Sequence, residues 1–224
     1  MPKQQVPLQT LENFLPPGCT EEVLHFLNQH GVQLTISRKR ASILGDYRFA
    51  GNGIPHRISV NGNLNPYGFL VTLLHELAHL LAFENSGRSI QPHGKEWKQH
   101  FGKLLAWFIQ KKIFPSDIES ALEKSIHNPA ASTCGDLNLL RVLSKYDKKP
   151  EGVGMIEDLP ENSLFSIGNG RIFRKGEKMR TRFKCQEIAT GKWYLFSAVY
   201  EIMTLSDKPV DSATNPLFLS SQTK

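Results

Sequence analysis

The chain has 224 residues, two-fifths of them hydrophobic, and a formal charge of +6, a length that supports one sizeable core and a small second module rather than several large domains. Its three cysteines, Cys19, Cys134 and Cys185, are far apart and odd in number, which excludes a disulfide framework and a cysteine zinc ribbon. No uninterrupted apolar run reaches the ~18–20 residues of a membrane span and the opening MPKQQVPLQT has no apolar leader, so a soluble, cytoplasmic protein without a membrane partner is expected; the basic balance fits a polyanionic partner or plain solubility.

In chain order, Thr20-Glu21-Glu22 reads as a helix start, with a capping hydroxyl and acids in the first turn, and Gly31 as its stop. VQLTIS alternates apolar and polar residues, RASILGDYRFAG continues with a glycine in the middle, and HRISVNG alternates again, which predicts three antiparallel strands. From Pro66 to Phe83 apolar positions recur at helical spacing, with Asn65-Pro66 as the start and Asn85-Ser86-Gly87 as the stop. A second helical run begins near His93-Gly94 and carries Trp97, Phe101, Leu104, Leu105 and Phe108 on one side, and Ser116–126 and 137–144 read as shorter helices.

KYDKKPEGVGMIEDLPENS is rich in Pro, Gly and charge and lacks a period, so residues 146–162 are expected to be a linker. Beyond it, SLFSI, RIFRK, MRTRFKCQEI and KWYLFSAVYEI predict a small antiparallel sheet of three or four strands over residues 163–205, and the polar stretch 206–224 reads as a flexible tail.

The helix from Pro66 contains His75-Glu76-Leu77-Ala78-His79. Residues four apart share a helix face, so His75 and His79 can offer two imidazole nitrogens to one ion, and Glu76 stands where it can take a proton from an attacking water. The apolar neighbours Leu73, Leu74, Leu77, Leu80 and Leu81 favour a buried site; without a shared ion each histidine would need another hydrogen-bond partner. A catalytic zinc usually takes a third protein ligand. His93, after the polar loop GRSIQP, is the first choice, with Glu96 as the alternative. Glu84, nine positions past His75, faces away, and His25, His30, His56, His100 and His127 show no comparable spacing. Lys178, Arg180, Arg182 and Lys184 alternate in sequence, as they would along one strand face. Beside Phe173, Phe183, Trp193 and Tyr194, that face could grip phosphates and stack unpaired bases, or be a solvated exterior.

HELAH, a loop, and then His93-Gly94-Lys95-Glu96-Trp97 resemble the SprT-like (Spartan-type) zinc metalloproteases, and SRKRASILGDYR and HRISVN resemble the strands preceding that family's metal helix. The similarity covers roughly residues 20–113. It implies an α+β, zincin-like domain over residues 20–145, one zinc ion held by His75, His79 and His93, and Glu76 as catalytic acid/base. It also implies a protein substrate and, since the family includes proteases acting on proteins attached to DNA, a DNA partner, provisionally single-stranded. The four-cysteine ribbon of many family members is missing, and a basic sheet stands in its place. The expected function is thus a zinc-dependent endopeptidase acting on DNA-associated or DNA-crosslinked proteins. The alternatives are a metal-dependent nuclease and a non-catalytic nucleic-acid-binding protein with a structural zinc. Tyr47, Tyr67 and Arg38 are equal candidates for stabilising an oxyanion.

Overall fold

A computed structural model describes residues 8–40, 43–51, 53–87, 91–127, 129 and 136–205. They form an α+β protein of two compact units that meet in sequence between Lys148 and Lys149.

In the first unit a 3-10 turn, Leu8–Phe14, leads to α1 (Thr20–Gln29), β1 (Val32–Ser37), β2 (Gly45–Arg48), β3 (His56–Asn61), α2 (Pro66–Ser86), α3 (Lys95–Gln110), α4 (Ser116–Glu123) and α5 (Leu137–Ser144). Helix α2 is the axis of this unit. Every residue from Gly68 to Ala78 is buried, so the helix is apolar on all sides rather than along one stripe, as a helix packed from every direction must be. By length and composition α2 could cross a bilayer, which the reading of uninterrupted runs missed, yet 72% of its most apolar window is buried inside the protein. Its start is well specified: Asn65 caps it by accepting from the Gly68 amide at 2.9 Å, with Pro66 in the first turn. The same side chain donates through Nδ2 to the Leu143 carbonyl and to Asp147 Oδ1, at 3.0 and 2.6 Å, tying α2 to the end of α5. Helix α3 is amphipathic and buries Trp97, Phe101, Leu104, Leu105 and Phe108.

Two local expectations need correction. The hydroxyl of Thr20 does not cap α1; Cys19 holds the cap position and no side chain bonds there. Nor are the three strands all antiparallel. Their order is β1-β3-β2, with β3 antiparallel to β2 and parallel to β1. After β1 the chain crosses to the far edge, forms β2, and returns through the middle, so the most buried strand, β3, takes the centre. Alternation sets which side of a strand faces the core and is silent on which strands become neighbours.

Among the described residues, the second unit is one antiparallel sheet of six strands, more than the three or four expected. In chain order they are β4 (Val153–Met155), β5 (Leu164–Ser166), β6 (Ile172–Met179), β7 (Arg182–Glu187), β8 (Trp193–Ser197) and β9 (Glu201–Thr204), laid side by side as β4-β9-β5-β6-β7-β8. Phe165, Phe173, Phe183, Cys185, Phe196 and Ile202 make its core. The stretch 146–162, expected to be a linker, supplies β4 and the fully buried Ile156. Lys175 fastens this stretch down: it is 5% exposed, donates to the Glu157 and Leu159 carbonyls, and lies over the Phe183 ring at 4.2 Å. Polar composition disguised a strand whose partner, β9, lies far along the chain. The segment 206–224, expected to be a tail, and Cys134 lie outside the described residues.

Replacing Asn65 removes a helix cap and a tie to α5 together. Asn65→Ala is expected to lower stability by about 1–2 kcal/mol, and Asn65→Asp, which keeps the cap acceptor but faces Asp147, should also lose stability. Urea denaturation with an unchanged midpoint for both would contradict this.

Candidate metal centre

His75 and His79 project from one face of α2, and the turn before α3 brings His93 to them. Nε2 of His93 lies 3.0 Å from Nε2 of His75 and 3.0 Å from Nε2 of His79. Neutral imidazole carries one N–H, so three nitrogens this close cannot be fully satisfied by hydrogen bonds among themselves. A cation satisfies them all, and tetrahedral bonds of 2.0–2.1 Å would place ligand nitrogens about 3.3 Å apart. The three histidines can therefore hold a metal ion. Burial favours the neutral, ligating form: His75 is pushed down to about 3 and His79 to about 4, by desolvation first and by neighbouring imidazoles second. His93 is lowered by desolvation.

The third ligand is aimed by backbone geometry. His93 has φ +58°, a left-handed conformation uncommon for residues other than glycine, and Gly94 then takes the cap position of α3. Trp97, 1% exposed, is the floor of the site. Its ring centroid lies 4.6, 5.5 and 4.7 Å from those of His75, His79 and His93, and its indole N–H donates to the His75 carbonyl at 3.2 Å. Nδ1 of His75 is buried and has no hydrogen-bond partner among the described residues, so ring packing orients it rather than the acceptor usual behind a metal-binding histidine.

Glu76, between the two helix histidines in sequence, is 6% exposed. Desolvation, and next Asp46, push its carboxyl up to about 8, while Arg40 opposes them; a nearby cation would draw it down. Tyr47 on β2 lies parallel to the His79 ring, with centroids 6.4 Å apart and 1° between planes. Its hydroxyl meets Nδ1 of His56 at 2.9 Å, and the Ala50 amide donates to the same nitrogen at 3.2 Å. Nδ1 is thus an acceptor, and Tyr47 is the donor to it.

Other sequence candidates lie elsewhere. Glu96 is exposed and outside the triad. Glu84 pairs with His30 at 2.8 Å. Tyr67 packs on Tyr146 and Phe114, and Arg38 is exposed. Sequence reasoning passed over His56, which orients Tyr47, and no spacing could have found it. Along the outer side of α3, a groove of about 800 Å³ is lined by His93, Lys95, Lys98, Gln99, Lys103 and His127, among others, so the flank beyond His93 is positively charged.

The expected basic face of the second unit must be redrawn. Lys178 is near the end of β6, Arg180 is in the turn with φ +35°, and Arg182 and Lys184 are on β7. Lys178 pairs with buried Phe183 in the register, so it is on the side of Phe183, whereas Arg182 and Lys184 are on the other. Arg171, bonded to Glu187 at 2.6 Å, and Lys175, buried, serve the fold. The outer face of β6-β7-β8 instead carries Arg174, Arg182, Lys184 and Gln186 with exposed Trp193 and Leu195, and Lys184 Nζ lies 4.9 Å from the Trp193 ring centre.

Residues 19–118 match the SprT-like family. The match runs from the start of α1 into α4 and takes in β1 to β3, all three histidines and Glu76. No curated protein and no solved structure matches the chain.

In the metal-free protein, the folded pKa values of His75 and His79, about 3 and about 4, lie below the ordinary 6.5. At these two rings the unfolded chain binds more protons between those limits, which outweighs the one proton that Glu76, pushed up to about 8, holds in the folded state, so stability should fall as pH drops from about 6.5 to about 4. Urea midpoints of chelator-treated protein across this window should show the decline, and His79→Gln should flatten it. A profile that stays level in Glu76→Gln as well, where the opposing carboxyl is gone, would show that these rings are not held neutral.

Proposed function

We propose that this protein is a zinc-dependent endopeptidase with a zincin-like SprT domain, acting on proteins associated with or crosslinked to DNA. The observation that carries the reading is a buried carboxylate, Glu76, held on the same helix as two of three converged imidazoles. A purely structural three-histidine site has no use for a buried acid beside it. Zinc bound there would supply a Lewis acid that polarises a carbonyl and acidifies water. Glu76 takes the proton from the attacking water and returns it to the leaving amine as the C–N bond breaks. Tyr47, beside His79, is the best placed of the three candidates to donate to the developing oxyanion, by turning its hydroxyl from His56.

Two positive surfaces support a DNA partner: the lysine-lined groove on α3, and the outer face of the second sheet, where Trp193 offers a stacking plane beside Lys184 and Arg182. On this reading DNA concentrates the protease on its substrate, and local substrate sequence matters less.

Glu76→Gln should keep one zinc per chain and lose at least about 100-fold in cleavage of a DNA-binding protein, whereas His93→Ala should lose or weaken zinc. Single-stranded DNA should stimulate the wild type. If bare labelled DNA or RNA is shortened instead, the protein is a nuclease; if Glu76→Gln changes no activity, the zinc is structural.

Reversing charge on the second sheet with Arg182→Glu and Lys184→Glu should weaken DNA binding and reduce its salt slope by about 1 for each phosphate no longer neutralised. Unchanged binding isotherms at two salt concentrations would remove this face from the interface.

A further inference from the structure

The first residue of β2 comes very close to Glu76. A Cβ placed on Gly45 would stand 2.4 Å from Oε1, 2.8 Å from Cγ and 2.9 Å from Cδ of that side chain, well inside van der Waals contact. Gly45 is not among the glycines with positive φ, so backbone freedom does not explain it; what it provides is space.

The backbone here has little room to retreat. The Asn61 amide donates to the Leu44 carbonyl at 2.9 Å, and Arg40 Nη2 donates to the same carbonyl at 3.3 Å. Asn61, 1% exposed, donates through Nδ2 to the Ile43 carbonyl at 3.0 Å and accepts from Arg40 Nε at 2.7 Å. Gly45 itself is in register with Val60 on the central strand. On the opposite side, the backbone of Glu76 is fixed within α2. Among the described residues, the component that an added Cβ meets and that can yield is the Glu76 side chain.

We infer that Gly45 is a positioning residue: the space left by its absent side chain fixes where the Glu76 carboxylate sits, and the Arg40–Asn61 network holds that space in place. The inference rests on the proposed role of Glu76 for its catalytic consequence but not for its geometry. It has a sharp signature, because an added methyl group displaces the carboxylate while leaving the fold and the three imidazoles intact.

The test is Gly45→Ala in the full chain, compared with wild type by crystal structure, zinc content, thermal unfolding, and kcat and KM on a DNA-binding protein. The expected result is a carboxylate moved by about 1 Å, one zinc per chain, unfolding like the wild type, and a kcat about 100-fold lower at similar KM. Combined with Glu76→Gln, Gly45→Ala should add no further loss, since both act on one group. A carboxylate in its wild-type position, or a Gly45→Ala protein that fails to hold zinc or to fold, would overturn the inference, the latter pair by making Gly45 merely structural. If the wild type cleaves no protein, the peptidase reading fails, and the displacement seen by crystallography still decides whether Gly45 positions Glu76.

Discussion

Burying one imidazole and a carboxylate, with a second imidazole half-buried, in the middle of a helix that is packed on every side is the constraint around which the first unit is arranged. Each group loses water that it would otherwise bind, and a buried polar group without a partner costs on the order of 1–3 kcal/mol. Apolar packing from Phe69, Leu70, Leu73, Leu74 and Leu77 keeps α2 in place despite that penalty, and Trp97 covers the imidazoles from below. What remains is three ring nitrogens converging on one point, an arrangement that a divalent ion stabilises. Fold and site are therefore two aspects of one helix.

The parts of this design that depend on short-range geometry were legible in the sequence. His75 and His79 are one turn apart on a helix announced by Asn65-Pro66, and that spacing alone puts them on one face. His93 was also within reach, since a turn ending in His-Gly just before an amphipathic helix has few directions to point. Long-range placement was not legible. The parallel pairing of β1 with β3 depends on a crossover that leaves no periodic trace, and Gly45 reads as an ordinary strand glycine until Glu76 is seen beside it. His56 becomes notable only through Tyr47.

The basic stripe shows how a correct local pattern can yield the wrong surface. Lys178, Arg180, Arg182 and Lys184 keep an even spacing across a hairpin with two turn residues. Reversing the chain over two residues pairs Met179 with Arg182 and Lys178 with Phe183, so residues of equal parity on the two arms face opposite ways. The period of two survives along each strand and inverts between them. The charged face that does form takes its charges from two strands, Arg174 on β6 and Arg182 and Lys184 on β7, and Trp193 joins it from β8.

The left-handed turn at His93 bears on how an ion would be held. Two ligands stand on a rigid helix, while the third is presented by a residue whose backbone conformation costs on the order of 1–2 kcal/mol. Whatever keeps that turn closed, the packing of the His93 ring on Trp97 or an ion bound by the three imidazoles, has to offset this cost. The strain is also released in one place, because unclasping His93 frees a ligand without disturbing α2. On the zinc reading, exchange of the ion would proceed by the opening of that single turn, with the two-histidine half of the site left standing to recapture it.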